Sequence, residues 1–340
     1  MQISGRTIGC EQPPFIVAEV SCNHGGQREH ALSLIRLAHE AGADAVKFQA
    51  YEASTITIES ARPEFKIREG LWAGHDLHTL YRETQTPFRW FPELAEYAAE
   101  VGIIWFASVF DRSSVDMLMK LGCPAFKIAS FELIDLPLIR YVAQTRKPMI
   151  LSTGMANDDE ITDALVYAGN EAALLHCVSG YPTPEAEANL ERLQELHSYF
   201  PLVGLSDHTV GIEAPIAATA LGACIIEKHF KPQWFKGPDA KFSLAPAAFK
   251  AMTTAVRNAW AMMQPGKRTS EEPMRALRRS LWVVREVAAG ERFTSENVRS
   301  IRPGGGLAPK ELDAVLGKMA ASDIPRGTPL AAELISPTDG

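Results

Sequence analysis

Residues 202–209 read LVGLSDHT and residues 223–230 read ACIIEKHF. Each is an apolar run of strand length, and each closes on a histidine, His208 and His229. Runs that are apolar at consecutive positions suit strands of a parallel sheet buried on both faces. Six more precede them: Phe15-Ile16-Val17-Ala18, Ala45-Val46, residues 103–107 (IIWFA), Ala125-Phe126, Met149-Ile150-Leu151 and Ala173-Leu174-Leu175. Between the first two, Ala31, Leu34, Ile35, Ala38 and Ala41 recur at helical spacing, and Gly42 follows as a stop signal. Similar helices end at Gly102, Gly122, Gly169 and Gly222, and Asn157 with Glu160 reads as a capping box. Eight strand-then-helix units predict a (β/α)₈ TIM barrel over residues 1–263.

The 340-residue chain leaves room for a smaller unit after such a barrel. Its 46% hydrophobic and 22% charged residues are those of a compact protein with a substantial core. A formal charge of −7 argues against nucleic acid as a partner, while a local basic pocket could still hold a small anion. No apolar run approaches the roughly 20 residues of a membrane span, and residues 1–14 lack the regions of a signal peptide. A cytoplasmic protein without a membrane partner is expected. Cys10, Cys22, Cys123, Cys177 and Cys224 show no CxxC spacing, so neither a disulfide framework nor a zinc knuckle is indicated.

Residues 264–273, with Pro265, Gly266 and Pro273, read as a linker, and a second domain is expected over 274–340. Within it REVAAGERFTSENV (285–298) matches SDIPRGTPLAAELI (322–335) without gaps. Val287 matches Ile324, Gly290 Gly327, Phe293 Leu330, Glu296 Glu333 and Val298 Ile335, an internal duplication of a turn-bounded β unit. RPGGG (302–306), between the repeats, is expected to be a flexible loop bearing one guanidinium.

In a barrel of this type the site forms at the C-terminal ends of the strands. In strand order those ends carry Glu19, Lys47 with Gln49, Ser108, Lys127 with Ser130, Ser152 with Thr153, His176 with Ser179, Ser206 with His208, and Glu227 with His229. Taken singly, Ser152 could cap a turn and Glu19 could pair with a lysine; taken together they converge on one mouth. Lysines and hydroxyls there, with loop amides such as that of Gly154, suit a phosphorylated or carboxylated small anion. Two imidazoles on adjacent strands, His208 and His229, could hold one exchangeable divalent metal with positions left open. By strand alternation Asp207 and Lys228 point elsewhere.

With Glu19, NHGG, KFQ, KIAS, LSTGM, GLSDHT and EKHF in view, the chain resembles the sialic acid synthase family over nearly its whole length. Residues from 274 onward resemble that family's antifreeze-protein-like (SAF) domain. Gly70-Leu71-Trp72, residues 80–83 (LYRE), Thr86-Pro87, Trp90 and KIASFE (127–132) are most similar to its pseudaminic acid branch. Val109 and Cys22 depart from what relatives usually carry there, which touches substrate subtype rather than reaction class.

The resemblance implies condensation of phosphoenolpyruvate with the open-chain aldehyde of an N-acylated amino sugar, giving a nine-carbon nonulosonic acid and phosphate. In the pseudaminic branch the sugar is a 2,4-diacetamido-2,4,6-trideoxy-altrose; the legionaminic and N-acetylneuraminic sugars are the alternatives. The implied cofactor is a manganese ion, or magnesium or cobalt, on His208 and His229. Lys47, Ser108, Lys127, Ser130, Ser152, Ser179 and Ser206 would hold phosphoenolpyruvate, and Glu19 would handle protons. Gln49, Glu132, Tyr181 and Asp239 would meet the sugar, joined by Arg302 from the partner subunit of a domain-swapped homodimer. Two other readings compete: a Schiff-base aldolase on Lys127 or Lys47, and a non-catalytic carbohydrate- or ice-binding protein acting through the duplication.

Overall fold

The computed structural model describes residues 1–266 and 269–337; the parts of the expected linker and second domain at 267–268 and 338–340 lie outside them. The chain divides into two units, 1–264 and 265–340.

In the first unit all eight apolar runs are strands: β1 (Phe15–Glu19), β2 (Ala45–Ala50), β3 (Ile104–Val109), β4 (Phe126–Ile128), β5 (Met149–Ser152), β6 (Ala172–Cys177), β7 (Val203–Asp207) and β8 (Ile225–His229). All pair in parallel, and β8 pairs back onto β1, closing a TIM-type barrel. β1, β7 and β8 are buried along their whole length, one face on the barrel interior and the other under the helices. Closure is tight between β7 and β8: a β-carbon on Gly204 would lie 2.4 Å from the Ile225 carbonyl oxygen, so that position admits only glycine.

Helices follow the strands as expected. α1 (Arg28–Glu40) buries Ala31, Leu34, Ile35 and Ala38 as one stripe. A later helix, Asp158–Ala168, opens on the complete Asn157–Glu160 capping box. Gly42, just after α1, and Gly102, at the end of the helix Phe91–Val101, take the positive φ at which those two helices stop. Between β2 and the helix Phe91–Val101 the chain inserts short helices at Ala53–Ile56 and Leu77–Thr84, which roof the mouth of the barrel.

The second unit has its own core, including Leu281, Val287, Phe293, Ile324 and Leu330. Its duplication is a structural one. Val287 bridges its own counterpart Ile324, each amide donating to the other's carbonyl at 3.0 and 2.8 Å. Gly290 N–H donates to Ala320 O, and Gly327 N–H, one repeat on, donates to Val283 O. The two repeats are thus related by an approximate twofold within one chain.

Two expectations need correction. Part of the supposed linker is helical, as a turn at Thr269–Glu271 running into Glu272–Arg275, because Pro273 falls in a first turn where its missing N–H costs nothing. The RPGGG loop is tied down rather than free: Gly304 N–H donates to Ala276 O at 2.8 Å, Trp282 Nε1 to Pro303 O at 2.7 Å, and Gly306 N–H to Ser280 Oγ at 3.0 Å.

Candidate active site

Register decides which strand-end side chains meet. Between neighbouring strands Glu19 pairs in register with Lys47, Gln49 with Ser108, Ser108 with Lys127, and Ser206 with Glu227. These groups, with Ser130, Ser152, Tyr181, His208 and His229, line a small polar pit at the C-terminal mouth. Lys47 is its centre: Nζ lies 2.9 Å from Glu19 Oε2 and 3.1 Å from Glu227 Oε1, and donates to Ser108 Oγ at 2.9 Å. Lys127 Nζ donates to Ser152 Oγ at 2.6 Å and to Ile128 O at 2.9 Å.

Burial works against every charge in the pit, and the partners decide which survives. Burial raises the Glu19 pKa against the pull of Lys47. Glu227 is equally buried, yet Lys47 and Lys127 together hold its pKa below the ordinary value. Glu19 is therefore the carboxylate readier to take a proton. Burial depresses Lys127 to about 8, offset in part by Glu227, while the two carboxylates outweigh burial at Lys47 and raise it. Two cationic amines beside one firm carboxylate favour an anionic ligand.

The wall beside Lys127 supplies neutral donors. Gly154 N–H donates to Ser130 Oγ at 3.1 Å. A β-carbon on Gly154 would come within 2.8 Å of Ser130 Oγ and 2.5 Å of Ser179 Oγ, so only glycine lets this amide and the two hydroxyls gather.

His208 and His229 stand side by side with ring centroids 5.3 Å apart. His208 Nδ1 donates to Val178 O at 2.9 Å, which leaves Nε2 as its lone-pair nitrogen. His229 Nδ1 is buried without a hydrogen-bond partner, 3.7 Å from Asp239 Oδ2, and burial, then His208, drives its pKa well down. Burial disfavours protonation of His208, but Cys177 and Val178 O beside it outweigh burial and raise its pKa. One imidazole oriented through Nδ1 beside one with an open nitrogen fits a divalent cation, which would hold both rings neutral. Among the described residues no set of three or more His, Cys, Asp or Glu side chains is gathered for a metal, so such an ion would keep open coordination positions.

Through Gln49, Ala129, Tyr181 and His229 the pit opens into a cavity of ≈ 420 Å³ with mostly aromatic and aliphatic walls. Glu132, Asp239, Trp72, Tyr81 and Phe242 line it. Gln49 Nε2 donates to Glu19 Oε1 at 3.1 Å and to Ser21 Oγ at 3.2 Å, and Ser21 Oγ donates to Asp239 Oδ2 at 2.6 Å. A hydrogen-bonded chain therefore joins the two compartments. Burial raises Asp239 and brings Glu132 to about 7.

Of the residues read from sequence, His176 falls outside this mouth: its Nε2 faces Ala188 O at 2.8 Å on the outer side of the barrel. Alternation along β6 turns Cys177 inward instead, 3.8 Å from His208 Nδ1. The same period of two, counted back from Ser179, could have found it. Asp207 and Lys228 point away from the pit as expected, paired with each other in a fully buried contact. Arg302 is exposed in the second unit. Trp72 and Phe242, given no role on sequence, reach the site from loops whose course no periodicity announces. All five cysteines are free thiols.

A TIM-type barrel with cations, hydroxyls and an imidazole pair at its C-terminal mouth defines an enzyme acting on small anionic substrates. Residues 34–268 match the NeuB family and residues 278–336 the SAF domain. The chain is 41% identical over 339 residues to the pseudaminic acid synthase of Campylobacter jejuni, covering 97% of this chain and 98% of that protein. It is 35% identical over 354 residues to the N,N'-diacetyllegionaminic acid synthase of Legionella pneumophila, covering 96% of each. The crystal structure of N-acetylneuraminic acid synthetase from Leptospira borgpetersenii superposes with a TM-score of 0.72 at 32% identity, covering 81% of this chain and 94% of that one. The chain belongs to the NeuB family, and it is a transferase of the sialic acid synthase type. No helix among the described residues is long and apolar enough to cross a membrane.

Proposed function

We propose that the protein condenses phosphoenolpyruvate and water with the open-chain form of 2,4-diacetamido-2,4,6-trideoxy-altrose, giving pseudaminic acid and phosphate. The observation that carries this is the division of the site: a cationic pit opening directly into an apolar chamber sized for a sugar. The greater identity to a pseudaminic acid synthase, 41% against 35% for a legionaminic one, favours the altrose-type substrate.

In this reading Lys47, Lys127, Ser108, Ser130, Ser152, Ser179 and Ser206 bind the phosphate and carboxylate of phosphoenolpyruvate. Gln49, Glu132, Tyr181 and Asp239 hold the sugar with its aldehyde toward the histidine pair. His208 and His229 hold a divalent cation, manganese in preference to magnesium or cobalt, which when bound supplies Lewis-acid stabilisation of developing negative charge on oxygen. Glu19, with its raised pKa, takes the proton from the water that adds at C2 of the former phosphoenolpyruvate unit, and loss of phosphate from that carbon leaves the 2-keto acid. Arg302 of the partner subunit of a domain-swapped homodimer completes the sugar site.

The test is phosphate release with phosphoenolpyruvate against three sugars: the altrose-type diacetamido sugar, its legionaminic-route isomer, and N-acetylmannosamine. Preference for the first is expected; preference for either of the others reassigns the product within the family. A second reading rests on Lys127, whose depressed pKa of about 8 is that of an amine able to form a Schiff base. Borohydride trapping of pyruvate on Lys127, with activity indifferent to chelator, would establish that reading in place of the first.

A further inference from the structure

Besides His229 Nδ1 at its border with the pit, the chamber holds two buried polar atoms that no protein group satisfies: the indole N–H of Trp72 and Oε2 of Glu132. Both residues line the same ≈ 420 Å³ cavity. A buried donor or acceptor left open costs about 1–3 kcal/mol, so each of these atoms favours a ligand that fills it. One is a pure donor; the other accepts in either protonation state of the carboxyl.

Their surroundings are apolar. Leu80, Phe110 and Phe131 line the cavity with them, and the Trp72 ring packs on Tyr181 at 5.4 Å. Tyr181 packs in turn on His208 at 4.4 Å, so the indole stands one aromatic ring away from the histidine pair. A ligand group suited to this place offers one acceptor, one donor and a small apolar end.

We infer that Trp72 and Glu132 form the subsite for a second acylamino substituent on the sugar. The indole N–H donates to the acyl carbonyl, Oε2 of Glu132 accepts the amide N–H, and the acyl methyl lies against the aromatic wall. A hydroxyl in the same position leaves the apolar wall uncovered. Trp72 would thus be a specificity-determining residue, separating di-N-acylated from mono-N-acylated sugars. The inference rests on the function proposed above and adds the residues that choose the substrate.

Trp72→Phe keeps the aromatic face and removes the N–H. The experiment compares kcat/KM for the diacetamido sugar with that for N-acetylmannosamine, which is used as a competitive inhibitor where it is not turned over. Trp72→Phe is expected to lower the preference for the diacylated sugar about tenfold through KM, with KM for phosphoenolpyruvate unchanged. An unchanged preference, or equal losses on both sugars, overturns the inference. Thermal unfolding checks that the variant is folded; should it not be, Glu132→Gln, which places an extra donor against the amide N–H, is held to the same outcomes. If the unmodified enzyme handles both sugars equally, this inference fails while the proposed reaction stands. If it releases phosphate with no amino sugar, the proposed reaction itself fails.

Discussion

The pit and the chamber are neighbours that share Gln49, Ala129, Tyr181 and His229, yet they are built on opposite terms. In the pit each lysine is held by its neighbours: Lys47 by Glu19, Glu227 and Ser108, and Lys127 by Ser152. In the chamber the walls are aromatic, and Trp72 and Glu132 each keep a buried polar atom open. The pit stands on strand ends, whose backbone is fixed on both sides by parallel neighbours; much of the chamber wall comes from the insertion after β2 and the loop after β8. A rigid platform suits groups that must be placed to a fraction of an ångström around reacting atoms. Loops suit groups that choose among related sugars, since they can be exchanged without disturbing the barrel.

That division can be broken most directly at His229, which belongs to both compartments. His229→Ala, or His208→Ala, should lower kcat by about 10³-fold or more while circular dichroism and thermal unfolding stay close to those of the unmodified protein. Chelator should do the same to the unmodified enzyme, and added manganese should reverse it. Retention of most activity by either variant in the presence of chelator would remove the metal from the reaction and leave the histidines as packing.

A milder test addresses the pit alone. Lys127 would bind an anion only when protonated, and burial brings its pKa to about 8 in the free protein. As pH rises through that value the fraction of cationic Lys127 falls, so kcat/KM for phosphoenolpyruvate should drop by up to about tenfold per pH unit above it. kcat/KM reports the free enzyme, so the bound anion's own effect on the amine does not mask the transition. A flat profile between pH 7 and pH 10 would mean that Lys127 is not part of the anion site.

The same contrast explains what could be read from sequence. Eight strands were legible because each is a short apolar run between helical stripes, and their ends named Glu19, Lys47, Ser108, Lys127, Ser206, His208 and His229, all of which line the pit. His176 was misread and Cys177 passed over for one reason: a strand's facing is set by a period of two, and a shift of one residue exchanges inside for outside. Glu227 was visible as a strand end, but its place beside Lys47 depends on the β7–β8–β1 register, which is a tertiary property. Trp72 belongs to a segment without periodicity, so its indole could be placed only by structure. In the second unit the pairing of Val287 with Ile324 was legible as a match between repeats, whereas the ties on the RPGGG loop run to Ala276, Ser280 and Trp282, more than twenty positions away in each case.

The smallest expected effect concerns Arg302, and it asks whether the chamber is complete within one chain. Its guanidinium is exposed on a loop tied by hydrogen bonds to Ala276, Ser280 and Trp282, the condition in which a long side chain can be presented without a large entropic cost. If it contacts only the sugar, Arg302→Ala should raise KM for the sugar about five- to tenfold and leave KM for phosphoenolpyruvate unchanged. Equal changes in both would make the loop a structural element. The proposed domain swap has a sharper consequence. In a mixed dimer of Arg302→Ala and His229→Ala subunits, exchange of arginines across the twofold leaves one site with both residues intact and the other with neither. Mixing the two variants after reversible dissociation should therefore recover wild-type KM for the sugar in the surviving sites, while a protein that supplies Arg302 to its own barrel would keep the raised KM of Arg302→Ala at every mixing ratio.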